Sequence, residues 1–311
     1  MAGECIYCGC EEARKPEEMA IPVIDLAELE GEKRSKTMSL LHDACQKWGF
    51  FWLENHGIED GAMEEVKRVV KQHYEESMRE SFYESELAQG LRRGTKAPDV
   101  DWETGFFYRH RPDPNIDDLP ELVRDAMKRY VELVVKLAEK LAELLSENLG
   151  LAKTYLKNAF AEPFVGAKVA MYPKCSDPGL VMGLRGHTDA GGIILLLQDD
   201  AVPGLEFLKD GEWVAVPPAQ GHRIFVNLGD QVEVVSNGVY KSIRHRVLAD
   251  GTGSRLSIAT FYNPGGDAII SPAAELVYPS RYRFQDYLDY YTKTKFSDKA
   301  SRFQSMKQTL V

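Results

Sequence analysis

Residues 185–198 have the sequence RGHTDAGGIILLLQ, in which three chargeable side chains stand directly before an apolar run. A short, continuous apolar run of this kind is typical of a buried β-strand. Residues i and i+2 of an extended chain face the same side, so the side chains of His187 and Asp189 converge on one point. Two interpretations are open: an ordinary polar pair at the end of a strand, or two ligands of a metal ion.

Eight short apolar runs, separated by Gly, Pro, Asn and Asp, follow one another from residue 164 to residue 262. Strands of this length with turns between them predict an antiparallel sandwich or jelly roll rather than a parallel sheet. The predicted strands are FVGAKVAMY (164–172), GIILLLQ (192–198), GLEFL (204–208), EWVAV (212–216), RIFVNL (223–228), VEVV (232–235), SIRHRVL (242–248) and RLSIATFY (255–262).

The chain before this strand-rich part is predicted to be mainly helical. Apolar residues spaced by three and four predict a long helix over residues 121–149, bounded by Pro120 and Gly150. We interpret residues 84–115 as irregular because glycine and prolines interrupt them. Further predicted helices cover residues 35–47, 61–79 and 282–291, and further predicted strands cover residues 21–25 and 48–57.

Composition limits the classes of partner. A formal net charge of −10 argues against nucleic acid, which would require a basic face. No run approaches the ~20 apolar residues of a membrane helix, and the N-terminus lacks the apolar segment of a signal peptide. We therefore expect a cytoplasmic protein with no nucleic-acid partner and no membrane partner.

The first 20 residues are polar and cysteine-rich, and we expect them to be an extension outside the folded domain. Cys5, Cys8 and Cys10 form a C-x-x-C-x-C pattern. Three thiolates could bind zinc, but no fourth ligand lies near them in the sequence. A solvated extension is therefore favoured over a zinc site.

A third ligand would separate the two interpretations of His187 and Asp189. His245 lies 58 residues after His187, far enough for the strands of a jelly roll to return to the same place. Two histidines and one carboxylate are the facial triad that holds non-haem Fe(II) and leaves positions open for other ligands. The other histidines are discounted because they have no partner nearby in the sequence: His42, His56, His73, His110 and His222.

A candidate carboxylate-binding pair follows the third ligand. Arg255 and Ser257 are two residues apart in the predicted strand RLSIATFY, so they share one face. A planar guanidinium donates two parallel hydrogen bonds to a carboxylate, and a neighbouring hydroxyl can add another. The alternative is an arginine in a salt bridge at the surface, but its position after a candidate iron triad favours the carboxylate-binding role.

In this order, H-x-D, His and R-x-S resemble the Fe(II)/2-oxoglutarate-dependent oxygenase superfamily. More narrowly, the stretches GLRGHTDAGGIILLLQDD, VNLGDQVEVVSNGVYKSIRHRV and SRLSIATFYNPGGDAII are similar to the 1-aminocyclopropane-1-carboxylate (ACC) oxidase family of plants, and IPVIDL and WGFFWLENHG near the N-terminus match it too. The resemblance covers residues 21–307 and is most specific over residues 183–267.

The resemblance implies a fold that is mainly β with flanking helices. A double-stranded β-helix, or jelly roll, would form the core, with N-terminal helices packed on it and a C-terminal helix after it. Residues 21–311 would form one catalytic domain. Its expected parts are a mainly helical region over 21–163, the jelly-roll core with the iron site over 164–267, and a helical segment over 268–311.

The resemblance also implies roles for individual residues. The iron ligands would be His187, Asp189 and His245. Lys168, Arg255 and Ser257 are implied in catalysis and in binding of the substrate carboxylate or a co-substrate. Polar and wall residues implied around the same site are Tyr172, Arg185, Gln198, Lys241, Arg246, Ala259 and Phe261, and a basic C-terminal segment would add Lys295, Lys299 and Arg302.

Two local expectations concern the opening stretch. Arg185 stands two residues before His187, so an extended chain would place both on the same side, with Arg185 supporting the metal ligands. Ala190, Gly191 and Gly192 carry little or no side-chain bulk. We expect them to leave room where a substrate approaches the metal.

The activity implied is the oxidation of ACC by dioxygen to ethylene, carbon dioxide and cyanide, the last step of ethylene biosynthesis. Fe(II) would be the metal, ascorbate the reductant, and bicarbonate or carbon dioxide the activator. A 2-oxoglutarate-dependent hydroxylase of the same fold is the first alternative, because Arg255, Ser257 and Tyr172 would suit that co-substrate. The second alternative is a metal-free jelly-roll protein that binds a small carboxylate.

Overall fold

The protein folds around two facing β-sheets. The computed structural model describes residues 20–198, 201–273 and 282–296. The strands are β1 (Val23–Asp25), β2 (Phe50–Glu54), β3 (Ala97–Asp101), β4 (Thr104–Arg111), β5 (Phe164–Tyr172), β6 (Val181–His187), β7 (Ile193–Gln198), β8 (Leu205–Lys209), β9 (Glu212–Ala215), β10 (Ile224–Leu228), β11 (His245–Leu248), β12 (Arg255–Asn263), β13 (Ile269–Ile270) and β14 (Tyr282–Arg283). The larger sheet has the order β1-β2-β10-β7-β12-β5-β4, the smaller one has the order β3-β6-β11-β8-β9, and β13 pairs with β14.

The predicted jelly-roll arrangement is confirmed, because two mainly antiparallel sheets enclose an apolar core between them. Phe50 and Phe225 enter this core from the larger sheet, and Leu205 and Phe207 enter it from the smaller sheet. Successive residues of a strand point to opposite faces. Each strand of the larger sheet therefore presents one set of side chains to the space between the sheets and the other set to the helices.

Helices flank the two sheets, and the longest of them packs on the outer face of the larger sheet. The α-helices of the described residues are α1 (Arg34–Asp43), α2 (Asp60–His73), α3 (Arg79–Glu84), α4 (Glu86–Arg92), α5 (Glu121–Asn148), α6 (Tyr155–Ala159), α7 (Asp230–Val235) and α8 (Phe284–Thr294). The apolar stripe of α5 shares one core with the outward side chains Leu195, Leu197 and Ile258. Both faces of β7 are thus covered, which explains why all six of its residues are buried.

The predicted long helix and most shorter elements are present. The helix predicted over 121–149 is α5, and the strands predicted near the N-terminus are β1 and β2. The helices predicted over 35–47 and 61–79 are α1 and α2, each continued by a π-helical turn, over Ala44–Trp48 and Tyr74–Met78. The C-terminal helix starts two residues later than predicted, after the short strand β14.

The prediction of irregular structure over residues 84–115 is wrong. This segment contains α4, β3 and β4. Both strands lie at sheet edges, β3 beside β6 and β4 beside β5. Proline and charged residues are tolerated at edges because one side of an edge strand makes no ladder hydrogen bonds. Of the four residues that suggested a loop, Pro98 lies in the edge strand β3, while Gly94, Pro112 and Pro114 lie outside both strands.

The predicted strand VEVV is also wrong, because residues 232–235 belong to the helix α7. A short apolar run cannot by itself distinguish a strand from a buried helical turn. Here the helix starts after Gly229, where an added Cβ atom would lie 2.4 Å from the carbonyl oxygen of Gly191. This close approach brings the start of α7 against the stretch that carries Asp189.

Several predictions lie outside the described residues. They concern the N-terminal cysteines and the last residues of the chain, including Lys299 and Arg302. Within the described ranges, no helix combines the length and the apolar character that crossing a bilayer requires. The division of the chain into an extension and one catalytic domain stays a prediction, as does the cytoplasmic location.

Candidate metal centre

Two neighbouring strands of the smaller sheet bring the three predicted ligands together. His187 ends β6, His245 begins β11, and the two residues are paired directly across the antiparallel ladder. Their ring centroids are 4.3 Å apart. Asp189 follows β6 by two residues, and one ligand atom from each of the three side chains lies within 4.8 Å of the others. All three residues are buried.

Backbone carbonyl groups orient both imidazole rings. His187 Nδ1 lies 2.8 Å from the oxygen of Arg185, and His245 Nδ1 lies 3.3 Å from the oxygen of Ile243. A carbonyl can only accept, so Nδ1 carries the proton and the lone pair of each ring is on Nε2. The Nε2 atoms of His187 and His245 point at the Asp189 carboxylate, at 3.8 Å and 3.7 Å. Each ring therefore directs a ligand lone pair to the same point.

The third ligand is held by α7 and by a strand of the larger sheet. Asn227, on β10, donates from Nδ2 to Asp189 Oδ2 over 2.7 Å. The backbone N–H of Asp230 donates to the Asp189 carbonyl over 2.8 Å. The segment mistaken for a strand thus fixes the loop that carries a metal ligand. Hydrogen-bonded supporting groups of this kind are usual around metal ligands.

The surroundings of His187 favour the protonation state in which its imidazole can bind a metal ion. Burial lowers the pKa of His187 well below its ordinary value, and the neighbouring His245 and Lys295 lower it further. The His187 imidazole is therefore neutral, which is the state that binds a metal ion. Two imidazole nitrogens and one carboxylate oxygen fit the donor set of a non-haem Fe(II) centre.

A small cavity between the two sheets opens onto these ligands. Its volume is about 90 Å³, far below the roughly 300 Å³ at which drug-sized pockets begin. A second cavity of about 270 Å³ shares Asp189, Phe261 and Lys295 with it, so the space at the metal ligands extends beyond this one cavity. The predicted site residues that line the small cavity are Lys168, Tyr172, His187, Asp189, His245, Arg255, Ser257, Ala259, Phe261 and Lys295.

The strand β12 supplies the end of the cavity opposite the metal ligands. Every second residue of this strand faces the cavity: Arg255, Ser257, Ala259 and Phe261. Arg255 is only 2% exposed, and its guanidinium lies 5.5 Å from the centre of the Tyr172 ring. Its Nη2 atom donates to Gln198 Oε1 over 2.8 Å. Strand alternation is thus sufficient to place the predicted carboxylate-binding pair in one wall.

Gln198 supports this wall without lining the cavity. It faces Ser257 across the ladder between β7 and β12. Its Nε2 atom donates to the carbonyl of Pro217 over 2.8 Å, which fixes the amide so that Oε1 accepts from Arg255. Gln198 therefore acts on the cavity through Arg255 and does not line it.

Lys168 and Lys295 enter the cavity from different elements. Lys168 lies on β5, and its Nζ atom is 2.5 Å from Glu103 Oε1. Lys295 follows the C-terminal end of α8 and is half-buried. Burial lowers the pKa of Lys295, and the nearby Lys168 lowers it further. The cavity thus gathers three basic side chains, including Arg255, in a protein that is acidic as a whole.

Arg185 supports the metal ligands through its backbone, as its carbonyl bond to His187 shows. Its guanidinium pairs with Asp101 over 3.0 Å and lies 3.8 Å from the centre of the Phe296 ring. The same ring meets His187 edge-on at 6.1 Å. Arg185 and His187 therefore share one side of the chain, as expected, but the Arg185 side chain does not line the cavity.

Two predicted residues point elsewhere in the described structure. Arg246 pairs with Glu206 over 2.7 Å and lies against Trp213. Lys241 donates to the carbonyl of Gly238 over 2.6 Å. Neither contributes to the lining of the cavity. Because strand neighbours alternate in direction, Arg246 follows a ligand in sequence and still faces away from it.

The expectation that Ala190, Gly191 and Gly192 leave room for a substrate stays a prediction. An added Cβ atom at Gly191 would lie 1.7 Å from Oδ1 of Asn263, and one at Gly192 would lie 2.3 Å from the Phe160 ring. Neither glycine lines the small cavity between the sheets, but Ala190 and Gly191 line an adjoining cavity of about 270 Å³ that shares Asp189 and Lys295 with it. Both are glycine because the stretch packs tightly against its surroundings.

Sequence reasoning missed four residues of this site: Asp101, Glu103, Phe207 and Asn227. The ring of Phe207 stacks on His245 with centroids 4.8 Å apart. Asn227 could have been noticed, because it is a polar residue inside the apolar run RIFVNL. Asp101 and Glu103 lie in the segment wrongly taken as irregular.

Two family models match the chain. The 2OG-Fe(II) oxygenase superfamily model matches residues 158–264, and the model for the N-terminal region of non-haem dioxygenase in morphine synthesis matches residues 21–126. The solved structure of JOX2 in complex with 2OG, Fe and JA is similar, with a TM-score of 0.79 and 30% identity over 92% of this chain and 88% of that one. A rice dioxygenase for auxin oxidation has a TM-score of 0.73 and 26% identity over 92% of this chain and 99% of its own.

Relatives from plants are closer in sequence. 1-Aminocyclopropane-1-carboxylate oxidase 1 of Arabidopsis thaliana is 59% identical over 300 residues, which covers 94% of this chain and 96% of the relative. The corresponding oxidase of Persea americana is 49% identical over 94% of this chain and 96% of its own length. Oxidase 4 of Solanum lycopersicum is 50% identical over 92% and 94%. This chain therefore belongs to the 2OG-Fe(II) oxygenase superfamily and, within it, to the 1-aminocyclopropane-1-carboxylate oxidase family.

Proposed function

We propose that this protein oxidises ACC with dioxygen to ethylene, carbon dioxide and cyanide, with ascorbate as reductant and bicarbonate or carbon dioxide as activator. Two electrons from the substrate and two from ascorbate reduce dioxygen to two water molecules. The observation that carries the proposal is a buried His-Asp-His set facing Arg255 and Ser257 across a cavity of about 90 Å³. A relative named for this activity is identical at 59% of positions.

His187, Asp189 and His245 would hold Fe(II), and the bound metal would supply the site where dioxygen is bound and reduced. The chain's own contribution is to fix the ligands. The carbonyl groups of Arg185 and Ile243 hold the protons of both rings on Nδ1, and Asn227 holds one carboxylate oxygen of Asp189. The apolar surroundings of the cavity exclude bulk water from this end.

Arg255 and Ser257 would bind the substrate carboxylate. A guanidinium that is 2% exposed, with its orientation fixed by Gln198, donates charge-assisted hydrogen bonds in a poorly solvated place. The electrostatic attraction is stronger there than at the surface because water screens it less. Tyr172, Ala259 and Phe261 would form the walls that limit the size of the bound molecule.

The remaining basic residues would attract anions to the site. Lys168 and Lys295 line the cavity, and they are our candidates for contact with bicarbonate or ascorbate. We propose the same role for Lys299 and Arg302, because the C-terminal segment that contains them resembles that of the ACC oxidase family. Arg185 contributes through its contact with His187, whereas Arg246 and Lys241 would act only through residues between them and the cavity.

A 2-oxoglutarate-dependent hydroxylase is the second candidate, and one observation favours it. Solved structures similar to this chain contain 2-oxoglutarate, and Arg255 with Ser257 would suit its carboxylate. Relatives named for ACC oxidation, one of them identical at 59% of positions, favour ACC oxidation over this candidate. A metal-free binding protein is disfavoured because three buried ligand groups converge on one point.

The test is ethylene production. Purified protein is supplied with Fe(II), ACC, ascorbate and bicarbonate, without 2-oxoglutarate, and ethylene in the headspace and oxygen consumption are measured. We expect ethylene, and we expect its formation to stop when Fe(II) is chelated or ascorbate is omitted. Absence of ethylene together with succinate formation from 2-oxoglutarate would replace the proposal with the hydroxylase. A plant origin and a cytoplasmic location remain predictions.

A further inference from the structure

Two carboxylates two residues apart hold two of the basic side chains around the metal centre. Asp101 ends β3, and Glu103 lies between β3 and β4. Asp101 Oδ1 accepts hydrogen bonds from the backbone N–H and Nε of Arg185, over 2.9 Å and 3.0 Å. Glu103 Oε1 accepts from Lys168 Nζ over 2.5 Å. The proposed function assigns no role to either carboxylate.

Trp102 fixes both carboxylates in place. Its side chain is buried, Nε1 donates to the carbonyl of Pro173 over 2.7 Å, and the ring meets Phe82 edge-on at 4.8 Å. Its backbone N–H donates to the carbonyl of Met182 over 2.8 Å. The segment joins an edge strand of the smaller sheet to an edge strand of the larger one. It is therefore anchored to both sheets, with Glu103 held beside β5.

Glu103 restrains a flexible side chain. A lysine side chain has about 2 kcal/mol of rotamer entropy, so its ammonium group needs a partner to stay in one place. The Lys168 and Glu103 side chains are 34% and 20% exposed, so water screens this pair less than a surface pair. Glu103 thus decides where the Lys168 charge sits in the cavity wall.

Glu103 also balances charge. Arg255, Lys168 and Lys295 give the cavity three cationic groups, while Asp189 is the carboxylate that lines it. Glu103 Oε2 is buried. Its charge also reaches Tyr172: burial raises the pKa of that phenol, and Glu103 raises it further. A second negative charge beside the cavity offsets one of the three cations.

We propose that Glu103 is a positioning and specificity-determining residue, which holds the Lys168 ammonium in the cavity wall and offsets its charge so that the cavity selects ligands with one carboxylate. The choice of a monocarboxylate rests on the proposed function, because ACC carries one carboxylate. Without Glu103, Lys168 is an uncompensated cation in the wall of the cavity that Arg255 also lines, and a second carboxylate on the ligand gains a partner.

The experiment compares two probes of equal length, butyrate and succinate, which differ by one carboxylate. Their dissociation constants are measured by anaerobic calorimetry on the Fe(II)-loaded protein. In Glu103→Gln we expect the preference for succinate over butyrate to rise roughly tenfold, since one charge at this depth is only partly screened. Glu103→Asp keeps the charge and should lie close to the wild type. The double variant Glu103→Gln/Lys168→Met should return the preference towards the wild-type value.

Glu147→Gln is the matched control. Glu147 pairs with Arg34 over 2.8 Å with side-chain exposures of 32% and 38%, and it joins α5 to α1 away from the cavity. This variant should bind both probes like the wild type. An unchanged preference in a folded Glu103→Gln that still binds iron would overturn the proposal. If Glu103→Gln does not fold, Glu103→Asp and Lys168→Met decide: Lys168→Met should lower the succinate preference below the wild type, and no change there would overturn it.

Catalysis gives a second readout. Glu103→Gln should raise KM for ACC several-fold while kcat changes less, because the residue acts through Lys168 and does not touch the metal ligands. A fall in kcat alone would contradict the positioning role. If the wild type makes no ethylene from ACC, the proposed function fails, but the butyrate and succinate measurements can still be made and judged.

Discussion

The two ends of the cavity are built in different ways. At the metal end, the ligands stand at the end of β6, just after it, and at the start of β11, and backbone carbonyl groups orient both histidines. At the carboxylate end, the residues lie within β12, and a neighbouring side chain, Gln198, orients Arg255. Substitutions leave backbone carbonyl groups in place but remove side-chain partners. The metal end should therefore tolerate changes around it better than the carboxylate end.

Loss of a ligand at the metal end should have the largest effect. In Asp189→Ala, two imidazoles remain, and we expect Fe(II) to be lost on desalting and ethylene formation to fall below detection, because two ligands cannot complete a facial triad. Iron content after desalting and calorimetric titration with Fe(II) measure this. Asp43→Ala changes an aspartate whose side chain is 51% exposed and should bind iron normally. Unchanged iron affinity in Asp189→Ala would support a metal-free binding protein.

Loss of the planar guanidinium at the carboxylate end should have the second largest effect. In Arg255→Lys the charge stays, but the two parallel hydrogen bonds of the guanidinium are lost. Hydrogen bonds to charged groups are each worth about 1.5–3 kcal/mol, so we expect kcat/KM for ACC to fall roughly 100-fold. Iron binding should be unchanged, since Arg255 belongs to the other end. A variant that loses iron would show that the two ends are coupled.

An amide at the metal end should have a smaller effect. Asn227→Leu removes the donor to Asp189 Oδ2 and keeps a side chain of similar size. Loss of a group that supports a metal ligand typically costs 10–100-fold in metal affinity. We expect Fe(II) affinity to fall roughly tenfold, because the backbone still orients both histidines. The binding of butyrate to the iron-loaded variant should change little, and a large change would contradict the separation of the two ends.

The metal end could be predicted from sequence because two of its three ligands lie two residues apart in the chain. His187 and Asp189 share a face of one extended stretch, and only one distant residue, His245, was needed to complete the set. The carboxylate pair followed from the same period of two in RLSIATFY. Alternation along a strand is a strong local signal, so the side of the chain that each residue faces could be read without knowing the fold.

The supporting residues could not be predicted, because their partners are far away in sequence. Glu103 meets Lys168 across 65 residues, and Asn227 meets Asp189 across 38. Asp101 ends the edge strand β3, whose proline and two aspartates are more typical of a loop, and the sequence therefore did not reveal it. The apolar run VEVV was compatible with strand and helix alike; in the structure it belongs to α7, whose start packs against Gly191. Tertiary contacts, not local preference, determine these features.

The amide at the carboxylate end provides the closest comparison with Asn227. Gln198→Leu removes the acceptor for Arg255 Nη2 and keeps a side chain of similar length. Without this acceptor the Arg255 guanidinium is less well ordered before the substrate binds. Ordering it reduces the free energy of carboxylate binding, so we expect KM for ACC to rise about fivefold to tenfold. Iron affinity should match the wild type, opposite to Asn227→Leu. Steady-state kinetics and iron titration on both variants measure this difference, and equal effects of both variants on iron would show that the cavity responds as one unit.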